Sequence, residues 1–253
     1  MRARPIALAV VLAALVPASA QGAALKSRYA LVHGCYQLRS QQLGRTVGGP
    51  YRMQATALGK YLLYGKKGDF LTAADDGTVV PVPEPSEAGD WRVDRRGRAF
   101  TLTLPSGKVL SARHDGALAT DSTARAFTFT KAKGCATYPE SDTDVKGRPS
   151  RGASPWGETR GLLESHLHWM ALEMFGGKAH CGRPWSPYGV AYAMVDCPDH
   201  KPGGAGLYLE NVLSGRDPAA THDTVGWPTF RDWPNATSLT HEGTYYKWVD
   251  RAW

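Results

Sequence analysis

The chain has 253 residues and a formal net charge of +7, but this charge is unevenly divided. Residues 21–150 hold 19 basic and 12 acidic side chains, whereas residues 151–253 hold 9 and 11, and seven of the eight tryptophans lie in the second part. Two compositions in one chain predict two domains. The basic run Arg95–Arg98 has no interleaved aromatic side chain, so nucleic-acid binding is not expected.

The first twenty residues are predicted to be a secretory signal peptide. Arg2 and Arg4 precede an apolar run from Ile6 to Val16, and Ala18–Ala20 has the small residues of a cleavage site. The run is about 11 residues long, against the ~20 that a membrane span needs. No later segment is apolar enough to cross a membrane. The mature chain is therefore expected to be secreted and extracellular.

Residues 21–138 are predicted to form an all-β module. Short runs such as Phe100–Thr103 and Phe127–Lys131 alternate apolar and polar side chains, and turn signals recur roughly every ten residues. Glycines followed by a basic and then apolar residues, at Gly44, Gly59 and Gly107, resemble the repeats of a β-trefoil. Their spacings of 15 and 48 are not an even ~40, and a β-sandwich stays an alternative.

This module is expected either to bind carbohydrate or another surface, or only to pack against its neighbour. Sugar sites use exposed aromatic side chains beside Asp or Asn, and Trp91 and Tyr64 are the candidates. Both aromatic side chains are equally compatible with a buried core. Residues 139–155 follow as a linker, because they are rich in Ser, Asp, Gly and Pro and nearly free of large apolar residues.

The four cysteines are expected to form disulfides, because their number is even and the predicted compartment is oxidising. Four cysteines allow three pairings. The simplest joins Cys35 to Cys135 and Cys181 to Cys197. Neither pair has the short spacing of a zinc or redox motif.

His166 and His168 are the candidate metal ligands of the second part. In an extended strand, residues two apart point to the same side, so both imidazoles project together. Two converging imidazoles are half of a metal site. A third ligand from His200, His222 or His241 is one alternative. A pair of structural histidines facing a cleft is another.

Residues 156–253 are predicted to be a second domain, which from about Gly161 to its last residue resembles a group of secreted actinobacterial hydrolases, similar to membrane dipeptidases, in the amidohydrolase-like superfamily. The resemblance rests on the ordered set Gly161–Trp169, Phe175–Gly177, His180–Trp185, Pro187–Val190, Asp196–His200, His222-Asp223, Gly226–Phe230 and Ser238–Glu242. It implies a (β/α)₈ TIM-type barrel with a divalent metal, preferentially zinc, at the C-terminal ends of its strands. His166 and His168 match the ligands of the first strand, whereas Glu164 departs from the usual Asp or Gly.

The resemblance implies a secreted metal-dependent hydrolase that cleaves an amide, peptide or ester bond of a small-molecule or peptide substrate with metal-activated water. Catalytic residues are not identified. Residues 161–253 are too few to close a barrel of ~250 residues, and a C-terminal helix carries an unpartnered face of Tyr245 and Trp248. Residues 156–253 are thus expected to be a truncated start of the barrel, inactive alone. The alternative is a non-catalytic extracellular carbohydrate- or surface-binding protein with a vestigial hydrolase segment.

Overall fold

The computed structural model of the chain describes residues 25–144, 154–158, 179–195, 197–233 and 239–252, together with residues 146, 163, 165, 173 and 237. Ten strands precede three helices in the described ranges. The strands are β1 (Cys35–Ser40), β2 (Arg45–Ala57), β3 (Lys60–Tyr64), β4 (Phe70–Ala73), β5 (Val79–Val82), β6 (Trp91–Arg96), β7 (Ala99–Thr103), β8 (Val109–Ala112), β9 (Leu118–Asp121) and β10 (Phe127–Lys131). The helices are α1 (Val190–Ala193), α2 (Ala205–Leu213) and α3 (Tyr246–Ala252).

Six of the strands close into an antiparallel barrel. The ring runs through β1, β2, β3, β6, β7 and β10, and β10 pairs back with β1. The β4–β5 and β8–β9 hairpins extend from the ring, and a bridge between Thr78 and Ala119 joins them. A closed ring leaves no second sheet to pack against, so the β-sandwich alternative is wrong. The all-β prediction is confirmed, and the arrangement is consistent with a β-trefoil-like domain.

The barrel contains an internal repeat of three strands at a constant offset of 39 residues. Lys60–Tyr64, Phe70–Ala73 and Val79–Val82 correspond in this way to Ala99–Thr103, Val109–Ala112 and Leu118–Asp121. The glycines that suggested a repeat in the sequence occupy different places in this unit, since Gly59 precedes β3 and Gly107 precedes β8. The spacing of 48 between those glycines therefore did not measure the repeat.

Alternating side chains of the barrel strands form its core. Phe100 and Leu102 are buried and Thr101 and Thr103 are partly exposed, which confirms the alternation expected for β7. Trp91 is fully buried, and its indole Nε1 donates a hydrogen bond to the Leu71 carbonyl oxygen at 2.9 Å.

The candidate sugar-binding aromatics are therefore not on the surface. Tyr64 is only 7% exposed, and its ring contacts the rings of Phe70 and Tyr138. Trp91 has no exposed surface. The alternative that both side chains belong to the core is confirmed.

Both predicted disulfides are present. Cys35 is bonded to Cys135, 100 residues further along the chain, and the barrel strands lie between them. Cys181 is bonded to Cys197, 16 residues further along. The pairing fits an extracellular environment. Across the described ranges, no helix is both long and apolar enough to cross a membrane. The predicted signal peptide lies outside the described residues.

The second part of the chain folds differently from the expected start of a (β/α)₈ barrel. From residue 179 onward, the described residues form short helices and loops, and their strand-like pairing is a single bridge between Cys181 and His241. Alternating parallel strands and helices, the unit of such a barrel, are not found in these ranges. The prediction of a TIM-type barrel is wrong for them.

The expected exposed aromatic face of the C-terminal helix is also absent. Tyr245 immediately precedes α3 and is fully buried, and the Trp248 ring packs on Phe230 at 5.7 Å between centroids. The division at residues 139–155 stays a prediction. The first residues of that segment contact the second part, because both Val190 N and Tyr245 Oη donate hydrogen bonds to the Glu140 carboxylate.

Candidate functional sites

His166 and His168 lie outside the described residues, as does Glu164, so their role as metal ligands stays a prediction. The structure instead brings together three other histidines that the sequence analysis treated as possible third ligands. His200, His222 and His241 surround one carboxylate, that of Glu210. We refer to these four residues with Thr240 as the histidine cluster.

Separate elements position each member of this cluster. His200 ends a 3₁₀ turn, Pro198–His200, that follows the disulfide-bonded Cys197, and Glu210 lies on α2. Thr240 and His241 belong to an extended segment that pairs with Cys181. The disulfide therefore ties the turn that carries His200 to the segment that carries His241. Gly206 lets α2 approach the His200 ring, because a Cβ at this glycine would lie 2.5 Å from His200 Cε1.

Hydrogen bonds fix the orientation of two of the three imidazoles. His241 Nδ1 and Glu210 Oε2 are 2.6 Å apart, and Thr240 Oγ1 donates to the same carboxylate oxygen at 3.0 Å. His200 Nε2 lies 2.7 Å from Thr240 Oγ1. The His200 and His241 rings contact each other edge to face at 4.3 Å. Glu210, Thr240 and the His241 side chain have no exposed surface.

Several polar atoms of the cluster nevertheless have no hydrogen-bond partner within the described part of the chain. They are His200 Nδ1, Glu210 Oε1, His222 Nδ1, His222 Nε2 and His241 Nε2. His222 Nε2 lies 3.3 Å from Glu210 Oε1 without hydrogen-bond geometry. A buried, unpartnered polar atom costs about 1–3 kcal/mol of stability. Such a concentration of unpartnered nitrogen atoms around a carboxylate is typical of a binding site rather than of a structural core.

The buried environment favours the neutral form of the His200 and His222 imidazoles. Burial, together with the neighbouring His241, lowers the pKa of His200 to about 4. Burial also lowers the pKa of His222, with partial opposition from the negative charge of Glu210. For Glu210, burial alone would raise the pKa, but hydrogen bonds from His241 and Thr240 outweigh it and leave the pKa lowered. The cluster thus combines an ionised Glu210 carboxylate with the neutral imidazoles of His200 and His222, which is the ligand form of these groups.

A second candidate site is a surface pocket on the β domain, which we call the Tyr51 pocket. It has a volume of about 270 Å³. Its lining residues are Gly49, Pro50, Tyr51, Gly65, Lys66, Lys67, Asp69, Leu71 and Pro81. The pocket therefore combines one aromatic ring with a carboxylate and two ammonium groups.

Glycine backbone positions shape this pocket. A Cβ at Gly65 would lie 2.0 Å from Asp69 Oδ1, so only glycine leaves room for the carboxylate. Gly49 has a φ of 106°, and a Cβ there would lie 2.8 Å from the Tyr36 carbonyl oxygen. Burial raises the pKa of Tyr51, and the negative charge of Asp69 adds to this effect. The phenol therefore stays protonated beside the carboxylate at neutral pH.

Sequence reasoning did not identify either site as a whole. It considered His200, His222 and His241 singly, and it missed Glu210, Thr240, Tyr51 and Asp69. One signal for Glu210 was available, because this glutamate is the only charged residue in the largely apolar segment Leu207–Leu213. An acid at such a position is buried only with partners.

No family model matches the chain, and no curated protein sequence matches it. The chain is similar to several solved structures. One is SeviL bound to asialo-GM1 saccharide, which is 14% identical, and the match covers 40% of this chain and 100% of the SeviL chain with a TM-score of 0.34. Polyporus squamosus lectin bound to a human-type influenza-binding epitope is 13% identical, and the match covers 40% of this chain and 49% of the lectin chain with a TM-score of 0.31. Hisactophilin is 15% identical, and the match covers 39% of this chain and 98% of the hisactophilin chain with a TM-score of 0.31.

The assignment of the chain to dipeptidase-like or amidohydrolase-like hydrolases is wrong. No family model supports this assignment. The described ranges contain an antiparallel barrel and short helices instead of repeated β/α units. The hydrolase activity and its catalytic zinc are withdrawn with the assignment, and the small-molecule or peptide substrate is left without support.

Proposed function

We propose that the chain is an extracellular carbohydrate-binding protein whose β domain binds a saccharide in the Tyr51 pocket. This is the non-catalytic alternative of the sequence analysis. The single observation that supports it most is the combination, in one pocket, of the Tyr51 ring with the Asp69 carboxylate. The aromatic residues first considered for this role are buried in the core.

The chemistry of a sugar matches these groups. Its C–H face is apolar and packs on an aromatic ring, while its hydroxyl groups donate to a carboxylate and accept from ammonium groups. Asp69 supplies the acceptor, and the exposed Lys66 and Lys67 supply donors. The volume of about 270 Å³ lies slightly below the ~300–1,000 Å³ of drug-sized ligand sites, which suits a small saccharide.

A second pocket on the same domain matches this chemistry less well. This pocket, which we call the hairpin pocket, has a volume of about 540 Å³ and lies between the β4–β5 turn, the β7–β8 turn and the end of β9. Its lining residues include Asp75, Asp76, Lys108, Thr120 and Asp121. Its lining contains polar groups but no aromatic ring. It therefore provides a control for the Tyr51 pocket on the same domain.

The proposal is tested by glycan binding to the purified full chain and to two matched variants. A panel of neutral and acidic saccharides identifies a ligand, and titration calorimetry gives its Kd. Asp69→Asn is expected to weaken binding about 10- to 100-fold, because a hydrogen bond to a charged group contributes about 1.5–3 kcal/mol. Asp75→Asn, in the hairpin pocket, is expected to leave the Kd unchanged. Circular dichroism checks that both variants are folded.

Two results would contradict the proposal. The first is the absence of millimolar or tighter binding to any saccharide of the panel by the unmodified chain. The second is binding that Asp69→Asn leaves intact. If Asp75→Asn weakens binding instead, the saccharide occupies the hairpin pocket and the assignment to the Tyr51 pocket is wrong.

A further inference from the structure

We propose that the histidine cluster binds one divalent transition-metal ion through His200, Glu210 and His241, with His222 beside them. This site lies in the second part of the chain and is separate from the Tyr51 pocket. It uses neither His166 nor His168. The inference goes beyond carbohydrate binding and does not depend on it.

The first observation is the spacing of the three ligand groups. One potential ligand atom from each of His200, Glu210 and His241 lies within 4.8 Å of the other two. At metal–ligand distances of about 2.0–2.2 Å, the ligand atoms of a tetrahedral site lie about 3.4 Å apart. The three side chains are therefore close enough to converge on one ion after they move closer together.

The second observation is the pattern of satisfied and unsatisfied nitrogen atoms. One nitrogen of His200 is held by Thr240 and one of His241 by Glu210, and the other nitrogen of each ring has no partner within the described ranges. His200 shows the division of roles found in metal-binding histidines, because a hydrogen bond to one nitrogen fixes the tautomer and orientation of the ring. For His241, an ion shared with Glu210 would replace the hydrogen bond that joins Nδ1 to the carboxylate, since Nε2 lies on the opposite side of the ring. A buried imidazole that served structure alone would be expected to use both nitrogens.

His222 supplies an independent indication of a ligand. Its side chain is only 9% exposed, and neither of its nitrogens has a hydrogen-bond partner in the part of the chain that the structure describes. Its Nε2 lies 3.3 Å from Glu210 Oε1 without hydrogen-bond geometry. An ion on the carboxylate would give this unpartnered imidazole a role as a fourth ligand.

The donor set selects the class of ion. Neutral imidazoles with one carboxylate suit zinc, cobalt, nickel, copper or iron, whereas magnesium and calcium prefer sites built from oxygen atoms. The nearby Cys181 and Cys197 are also grouped with His200, but their disulfide removes both thiolates as ligands. The carboxylate offsets part of the positive charge of a divalent ion.

The experiment measures metal binding to the purified full chain with Co²⁺ as the probe. Chelator-treated protein is titrated with Co²⁺, and stoichiometry is taken from calorimetry and elemental analysis. One ion per chain is expected, with the visible absorption of Co²⁺ bound by nitrogen and oxygen ligands. Two variants, Glu210→Gln and His241→Gln, are expected to weaken binding more than the ~10- to 100-fold that changes around the ligands cause. His114→Ala, at an exposed histidine in the β8–β9 turn, is expected to bind Co²⁺ normally.

The unmodified chain keeps the proposal falsifiable if a variant fails to fold. Its thermal midpoint is expected to rise with added Co²⁺, because an ion that binds only the folded state stabilises it. Substoichiometric Co²⁺ with no rise in the midpoint would overturn the proposal. Stoichiometric binding that survives both cluster variants would place the ion elsewhere, for example at His166 and His168, and would also overturn it.

Discussion

Single buried side chains connect the β domain with the second part of the chain. Tyr245 is fully buried, and its hydroxyl donates a hydrogen bond to Glu140 Oε2 at 3.0 Å. Burial raises the pKa of this phenol well above its usual value of 10, and the negative charge of Glu140 adds to the effect. Tyr138, which donates to the Tyr188 carbonyl oxygen at 2.7 Å, has its pKa raised mainly by burial.

These tyrosines predict a loss of stability in alkaline solution. Because the pKa of Tyr245 is higher in the folded than in the unfolded chain, its stabilising contribution is complete below pH 10 and falls as the pH rises above 10. Tyr245→Phe is expected to reduce the slope of the unfolding free energy between pH 10 and pH 11.5. Urea titrations at several pH values measure that slope. Tyr29→Phe, at a half-exposed tyrosine, is the control, and an equal slope in all three proteins would contradict the prediction.

The β domain contains repeated strands, and a buried aromatic side chain is the first residue of two of its barrel strands. Trp91 begins β6 and Phe127 begins β10, and both are fully buried. The Trp91 indole also joins two strands that are not adjacent in the sequence, since it donates to Leu71 in β4. Phenylalanine in place of Trp91 would keep an aromatic ring in the core and remove the indole N–H.

Trp91→Phe is therefore expected to leave the fold intact and to lower its stability by about 1–3 kcal/mol, the cost of losing a buried hydrogen-bond partner. Urea unfolding followed by circular dichroism measures the change. Trp185→Phe, at a half-exposed tryptophan, is expected to stay within about 0.5 kcal/mol. A loss of similar size in both variants would show that the Leu71 hydrogen bond contributes nothing specific.

The two disulfides act on the molecule as a whole. Cys35–Cys135 links residues 100 positions apart, and Cys181–Cys197 links residues 16 apart. A disulfide restricts the unfolded chain more strongly when its loop is longer, with about 4.7 kcal/mol for 100 residues and about 3 kcal/mol for 15. The loop closed by the first disulfide contains the barrel strands, and the second disulfide joins segments that carry His200 and pair with His241.

Replacing both cysteines of a pair by alanine is expected to separate these two effects. Loss of Cys35–Cys135 is expected to lower the free energy of unfolding by about 1–2 kcal/mol more than loss of Cys181–Cys197. Denaturant titration of the two double variants measures the difference. A larger loss for the short loop would contradict the loop-length argument and would indicate that geometry at the cluster dominates.

Sequence alone determined the properties of this protein that depend on neighbouring residues. The all-β character of residues 21–138 follows from alternation and turn glycines, which act within a strand or a turn. The presence of disulfides was predicted from the even number of cysteines together with the predicted export, whereas the tertiary structure decided which of the three possible pairings forms. These interpretations hold because local backbone preference and compartment chemistry do not depend on distant contacts.

Only the tertiary structure decided which distant residues meet. Closure of the barrel requires β1 to pair with β10, and no local pattern distinguishes this ring from two packed sheets. The same holds for His200 and His241, which separate elements bring close to the Glu210 carboxylate. In the tertiary structure Trp91 and Tyr64 are buried in the core, whereas Tyr51 lines a surface pocket. The sequence does not distinguish these positions, because the exposure of an aromatic side chain depends on everything that packs around it.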